Sequence, residues 1–372
     1  MSENQPDHVN RSNPKLKVVG IGFDHMHIGD QLAAAQASPD FDVVAVYDTQ
    51  SERMAQVCAD LGIAASMQYS DWEKMLDEHQ ADLAIVCSTT AEHLLWVERL
   101  AARRVHVVLE KPFAVSAEEA EKAISLARQA NIRLAINWPL AWYDSHRTAY
   151  RMINEGIIGK VIEVHYYDGN RGPQYHLHAK KEVSEPVDIQ STWWFKKETG
   201  GGAMRDYLGY GSTLATWFRD GELPSRISAN SYIPQGFEVD VQSVVVAHYD
   251  SGLSSFQTRW GTFTDPWVTQ PQPFCGFVVV GDKGTICSRD YADVVGVQTR
   301  EHPEAKSIPV DDFSDTPNVF SLLYKAIINE HDLGGPCGAK ISLGGQYIVD
   351  CAVESSETER PVDMPVRSLD KP

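Results

Sequence analysis

From residue 15 to residue 137 short apolar runs alternate with segments of helical spacing, and this alternation leaves very few architectures open to the chain. The strand candidates are Lys15 to Val19, Val43 to Tyr47, a brief run at Ala64 to Met67, Leu83 to Cys87, Val105 to Leu109 and Arg133 to Ile136. Between them lie helical patterns at Ile28 to Ser38, Ser51 to Leu61, Ser70 to Glu78, Ala91 to Ala102 and Ser116 to Ala130. Gly62 suits the C-cap of the second helix, and Ser70 with Glu73 and Ser116 with Glu119 read as capping boxes. Leu83 to Cys87 is apolar enough to be covered on both faces, as strands with crossover helices are. The alternation predicts a doubly wound parallel sheet of the Rossmann kind.

After Asn137 the pattern changes. An aromatic stretch, Trp138 to Tyr143, leads to a helix at Ser145 to Glu155, with Asp144 as its cap and Gly156 as its end. Alternating apolar and polar residues then mark strands at Lys160 to Tyr167, Arg226 to Tyr232, Val239 to Tyr249, Ser254 to Trp260, Gly276 to Val280, Thr285 to Ser288 and Val294 to Thr299. Such alternation predicts a mostly antiparallel open sheet with one covered face, and Asp282, Lys283, Gly284 is a hairpin turn. Helical patterns at Asn318 to Glu330 and Leu343 to Glu354 either cover this sheet or return to the first unit. The expected division is a disordered tail at 1–14, a dinucleotide-binding domain at 15–137 and a substrate-binding and oligomerisation domain at 138–372. No Gly/Ser linker separates the two, so they should pack closely.

A length of 372 residues fits two domains, and 43% hydrophobic with 23% charged residues is ordinary globular composition. The formal net charge of -18 opposes nucleic acid and anionic membrane as partners. No apolar run approaches the roughly 20 residues of a membrane helix, and Met1 to Pro14 lacks the apolar core of a signal peptide. A cytoplasmic location is expected. The six cysteines show no CxxC spacing and read as reduced thiols.

The first strand runs into Gly20, Ile21, Gly22, Phe23, Asp24, His25. Two glycines permit a tight turn and close approach of a pyrophosphate, while the next helix offers free N–H groups. His25 stands where a third glycine is usual. Asp48, ending the second strand, is placed to accept hydrogen bonds from ribose hydroxyls and to repel a 2'-phosphate, which favours NAD over NADP. His25 and His27 suit either contact with pyrophosphate or substrate, or packing at a helix start.

Two further constellations carry chemistry. Glu110, Lys111, Pro112 ends a buried strand and puts a lysine at the ligand-binding edge of the sheet. Thr199, Gly200, Gly201, Gly202, Ala203, Met204, Arg205, Asp206 opens a helix on which Asp206 and Tyr210 share a face.

In this order the motifs resemble the Gfo/Idh/MocA family, the glucose-fructose oxidoreductase and inositol dehydrogenase relatives, over nearly all the chain. The resemblance implies an NAD-dependent hydride transfer at a carbinol carbon of a sugar, polyol or glycoside, with Lys111, Asp206 and Tyr210 catalytic. Tyr210 stands where most members have a histidine, and Leu208 stands where they have glycine. His93, after Ser88 and Thr89, and Asn137 match further family positions, although the usual Pro and Asn of the first loop are absent. The expected cofactor-binding set is Gly20, Gly22, Phe23, Asp24, His25, Asp48, Ser88, Thr89, His93, Glu110, Lys111 and Asn137. A free tyrosine is a weak base at neutral pH, so the expectation includes a Tyr210 pKa lowered by Lys111.

Substrate selection is expected in the polar segment Asp168 to Glu198, through Arg171, His176 and Trp193, with Trp138, Lys111, Asp206 and Tyr210. His176 and His178 would share one face of an extended chain, but a zinc site needs more ligands, so no metal is expected. The loop Arg259 to Phe274 suits either the site or an interface. Family members are commonly dimers or tetramers, so a homodimer or homotetramer is implied. Two other readings stay open: a glycosidase that oxidises, eliminates and re-reduces with bound NAD, and a non-catalytic NAD or sugar sensor.

Overall fold

The computed structural model describes residues 15–184, 188–189, 192–366 and 369, so the expected N-terminal tail lies outside the described residues. The first unit runs β1 (Leu16–Ile21), α1 (His27–Ala37), β2 (Phe41–Tyr47), α2 (Ser51–Leu61), β3 (Gln68–Tyr69), α3 (Trp72–His79), β4 (Leu83–Val86), α4 (His93–Ala102), β5 (His106–Glu110), α5 (Ala117–Ala130) and β6 (Leu134–Asn137). Its six strands are all parallel, in the order β3-β2-β1-β4-β5-β6. The order turns at β1, and ligands of open α/β sheets bind outside the strand ends at such a switch point.

Local details depart from expectation where side chains compete. Asp71 rather than Ser70 caps α3, its Oδ1 accepting from the Glu73 and Lys74 amides at 3.0 and 3.1 Å. Ser116 caps α5 as expected, accepting from the Glu119 amide at 3.2 Å. Ala65–Met67 is a 3-10 turn rather than a strand, and only the next two residues pair with β2.

The second unit begins with α6 (Asp144–Asn154), capped at Tyr143, so that Asp144 lies in the first turn rather than at the cap. There follow β7 (Val161–Asn170), α7 (Ala203–Phe218), β8 (Arg226–Tyr232), β9 (Gln242–Tyr249), β10 (Gly252–Trp260), β11 (Gly276–Gly281), β12 (Gly284–Arg289), β13 (Val294–Thr299), β14 (Lys306–Pro309), α8 (Val319–Ile328), α9 (Ala339–Thr358) and β15 (Val362–Asp363). The nine strands are ordered β14-β13-β12-β11-β7-β10-β9-β8-β15 and are antiparallel except for the central β7 and β10 pair. The short edge strands β14 and β15 were not expected; they carry few apolar residues because edges pack little.

Helices α7 and α9 cover one face of this sheet. At Gly209 a Cβ would lie 2.6 Å from the Trp138 ring, so glycine lets α7 settle against that indole. The indole nitrogen of Trp138 donates to Ser342 on α9 at 3.0 Å. Helix α8 returns to the first unit, where Phe320 and Tyr324 pack edge-on against Phe41 at 5.6 and 5.7 Å. Asp350 and Gln346 of α9 accept from the Ala117 and Ala114 amides, fastening the sheets together. Among the described residues no helix is long and apolar enough to cross a membrane.

Candidate active site

The glycine turn after β1 closes against the end of β4. Gly22 has φ 77°, and a Cβ there would stand 2.8 Å from the Ser88 amide nitrogen. Any side chain would fill this cradle. Asp48 is buried, its two oxygens accepting from the Phe23 amide at 2.8 Å and the Gln50 amide at 2.7 Å. Arg53 pairs with Asp24 and lies 3.9 Å from Asp48. Burial raises the Asp24 carboxyl to about 6 against the pull of Arg53. A side-chain-free cradle beside a fixed acid and an uncapped α1 N-terminus fits a dinucleotide. Arg53 was missed because it lies five residues beyond Asp48 and reaches the turn only through the fold.

Deeper in, Glu110 is fully buried at the end of β5. Its oxygens accept from Gln31 at 2.6 Å and Asn137 at 2.9 Å, and His27 Nδ1 lies 2.8 Å away. Glu110 and Asn137 thus form a polar floor beneath the turn. His25, His27 and Glu110 have ligand atoms within 4.8 Å of one another. Within this cluster His27 Nδ1 lies 2.8 Å from Glu110, and His25 Nδ1 accepts from the His27 amide at 3.2 Å. A neutral His25 then keeps its proton on Nε2, which is buried without a hydrogen-bond partner, 3.9 Å from Glu110 Oε1. Burial holds His25 well below the usual histidine range, with His27 and Lys111 adding to it. His93 is buried too, Nδ1 3.1 Å from the Phe113 carbonyl and its pKa lowered by burial.

Above this floor opens a cavity of about 270 Å³. Lys111 enters it from the end of β5 and pairs with Asp206 of α7, both about one-twentieth exposed. The indole of Trp260 donates to the other Asp206 oxygen at 3.0 Å. The ammonium also stands 5.3 Å from the ring centres of Trp194 and Tyr210 and 5.8 Å from that of Tyr207. Asp240 sets the start of α7: its carbonyl accepts the Ala203 amide at 3.0 Å and its carboxylate the Met204 amide at 2.9 Å. That cap comes from 36 residues downstream of Met204, beyond any local motif.

Tyr210 departs from expectation. Its pKa is raised well above 10, first by burial and then by the carboxylates of Glu110, Asp206 and Asp168. Lys111 lies over the ring face and is already matched by Asp206, so it does not favour the phenolate.

The sheet side of the cavity supplies a second acidic pair. Asp168 near the end of β7 and Asp290 after β12 both line it, 5% and 3% exposed. Asp168 accepts from the Tyr166 hydroxyl at 2.8 Å, and His146 of α6 bridges Asp290 at 2.9 Å and Ser288 at 2.6 Å. Burial, then the neighbouring Asp290, raises Asp168 to about 7. Asp290 escaped notice because only the hairpin brings it beside β7.

Of the expected substrate set, Lys111, Asp206, Tyr210 and His176 line the cavity, with His25, Asn137 and Pro266 and Trp267 of the later loop. Three do not. Trp138 is buried against Tyr210 and α9. Arg171 turns away to Glu182 at 3.4 Å and stacks on Tyr175. Trp193 donates to the Asp24 carbonyl and stacks on Trp194, which itself lines the cavity. His176 and His178 diverge, the first 3.0 Å from Asp265 and the second 2.8 Å from Asp60. The Thr89 hydroxyl donates to Glu92 at 3.4 Å.

Fold and site define a two-domain dinucleotide-binding protein with a buried lysine and carboxylate couple at the junction. Residues 15–138 match the family model "Oxidoreductase family, NAD-binding Rossmann fold", and residues 146–287 match the GFO/IDH/MocA C-terminal domain. The chain belongs to the Gfo/Idh/MocA oxidoreductase family, and its cofactor is NAD. It is 29% identical over 194 residues to a dTDP-3,4-didehydro-2,6-dideoxy-alpha-D-glucose 3-reductase of Streptomyces antibioticus, spanning 52% of this chain and 54% of that protein. It is 25% identical over 300 residues to a 1,5-anhydro-D-fructose reductase of Ensifer adhaerens, spanning 77% and 80%. A levoglucosan dehydrogenase solved with NADH and levoglucosan has the same fold, with TM-score 0.77 and 17% identity over 95% of this chain and all of that one.

Proposed function

We propose that the protein is an NAD-dependent oxidoreductase that acts at a carbinol carbon of a sugar, polyol or glycoside. The observation that carries this reading is the buried Lys111 and Asp206 couple, set among aromatic rings at the switch point of the dinucleotide-binding sheet. NAD, when bound, supplies the redox chemistry. Gly22, Asp48 and the N-terminus of α1 would hold it, with Ser88 closing the cradle.

Lys111 places a fixed positive charge where a sugar oxygen becomes alkoxide-like, and the buried setting strengthens that effect. Asp206, itself fixed by Trp260, holds the ammonium in place and accepts from a neighbouring hydroxyl. The rings of Trp194, Tyr207 and Tyr210 offer apolar faces to the carbon skeleton and keep water out. Relatives named for sugar substrates support the carbohydrate class.

The test is incubation of the protein with NAD and a panel of sugars, polyols and glycosides, following NADH absorbance and released products. Net NADH formation is expected. Glycoside cleavage without accumulated NADH would replace dehydrogenation by the redox-neutral hydrolysis.

The reading extends to assembly and location. The uncovered face of the nine-stranded sheet, with Val244 40% exposed, suits a homodimer or homotetramer, measurable by light scattering. Six free cysteines, five of them buried, suit a reducing cytoplasm, testable by fractionation.

A further inference from the structure

Beside the cavity that holds Lys111 and Asp206 lies a second hollow of about 350 Å³, and the two share a wall. Tyr143 and Tyr291 line both, their hydroxyls 2.6 Å apart and their ring centres 4.6 Å apart. Lys180, in the lining of the first cavity, holds its ammonium 4.4 Å from the Tyr291 ring centre. Tyr291 has φ 57°, a left-handed backbone that a bulky residue rarely adopts and that recurs at ligand clamps. The rest of the second hollow is built by the start of α6 and by the chain after β12. Trp142 adds a further aromatic face, and Asp144 and Asp293 add carboxylates. Ser145, in the same lining, is 1% exposed, and its hydroxyl has no hydrogen-bond partner among the described residues. Helix α6 also starts without a side-chain cap, which leaves its first amides as donors.

Resting on the oxidoreductase reading, we propose that this hollow is a second sugar subsite, which holds the non-reacting ring of a glycoside or disaccharide while the reacting ring lies at Lys111 and Asp206. A sugar ring offers C–H faces to aromatic side chains and hydroxyls to carboxylates and amide donors. The hollow presents all three. A buried hydroxyl without a partner is costly, and a hydroxyl of the second ring would supply one to Ser145. With two carboxylates and no lysine or arginine among its described lining residues, the hollow opposes an anion. A neutral second ring is therefore favoured over a uronate or a sugar joined to a diphosphate. Binding that ring also serves the chemistry, because contacts to a remote part of the substrate orient the reacting carbon and raise kcat as well as affinity.

The experiment compares kcat/KM for single sugars and for disaccharides that contain them, such as glucose with cellobiose and maltose and galactose with lactose. Wild type, Ala292→Trp, Asp293→Asn and Ser145→Ala are measured, with thermal unfolding and NAD affinity as controls. Ala292 lines the hollow, so an indole there fills it. Wild type should favour the two-ring member of a reacting pair by about 10- to 100-fold, with part of the gain in kcat. Ala292→Trp should erase that preference, Asp293→Asn should lower it by about 10-fold and Ser145→Ala by about fivefold. A disaccharide with a glucuronosyl second ring should react more slowly than its neutral counterpart, and Asp293→Asn should narrow the gap. A preference for the single sugar, or a disaccharide preference that survives Ala292→Trp, overturns the subsite. A glucuronosyl ring preferred over the neutral one overturns its assigned chemistry. Calorimetric titration of the NAD-loaded protein with the disaccharides reads the subsite without turnover: affinity should fall about 10-fold in Ala292→Trp, and an unchanged affinity overturns the proposal. Turnover of single sugars with no gain from a second ring removes the subsite alone, whereas no turnover of any sugar by wild type removes the oxidoreductase reading and this proposal with it.

Discussion

Asp206 and Asp168 stand in one cavity, 4% and 5% exposed, and differ in what faces them. Asp206 meets an ammonium and an indole N–H, so an opposite charge and a neutral donor engage its two oxygens. Asp168 meets a second aspartate, a phenol and a thiol, so burial and like charge push it toward the neutral acid. The first arrangement makes a fixed electrostatic post. The second makes a group whose charge follows pH near neutrality.

The comparison breaks most visibly at Lys111. Lys111→Met should lower turnover by about 10³-fold, the scale of removing one preorganised charge, while NAD affinity by fluorescence titration changes little. It should also lower the unfolding midpoint, since it strands Asp206 as a buried unpaired charge. Turnover above a tenth of wild type would detach the lysine from the chemistry. Next in size, Asp206→Asn should cost about 10²-fold. An Asp206→Asn enzyme as active as wild type would detach that carboxylate from the chemistry. Tyr210→Phe removes the hydroxyl expected to exchange the substrate proton, so it should cost about 10²-fold with NAD affinity little changed. Equal turnover in that variant would remove the tyrosine from proton transfer.

The smallest effect concerns stability. Asp240, buried beneath the start of α7, has its pKa raised from 3.8 to about 7 by burial. A folded-state value above the unfolded one contributes stability that is fully present below pH 3.8 and lost as pH rises through about 7. Asp168 acts in the same sense. Unfolding midpoints should therefore fall with pH over this window, and Asp240→Asn should flatten the fall. An unchanged slope would place the pH dependence elsewhere.

The first unit was largely legible because its determinants are local. Gly62 does adopt the left-handed C-cap conformation, at φ 67°. Ser116 does cap α5, and the run Leu83–Val86 is buried on every residue. The pairing of Lys111 with Asp206 could be anticipated only through the resemblance, because the two lie 95 residues apart. The second unit's β11 and β12 hairpin was readable from Asp282, Lys283, Gly284. Arg171, Trp138 and Trp193 suited a sugar site by residue type, yet each found a nearer partner: a carboxylate, a helix and a carbonyl. Residue type describes what a side chain can bind, not what stands beside it.

By itself the order of residues determined the parallel sheet, the glycine cradle, the acid after β2 and the lysine at the end of β5. These follow from period, turn chemistry and strand ends, which act over a few residues. Only the tertiary structure decided the charge states. Whether a carboxyl meets an ammonium or another carboxyl, and whether a phenol is buried among acids, depends on strands and helices that close the cavity from distant parts of the chain. Coulomb energies there depend on separations of a few ångströms and on the absence of water, which is why the Tyr210 phenol is pushed up rather than eased toward the phenolate and why Asp168 is raised beside Asp290.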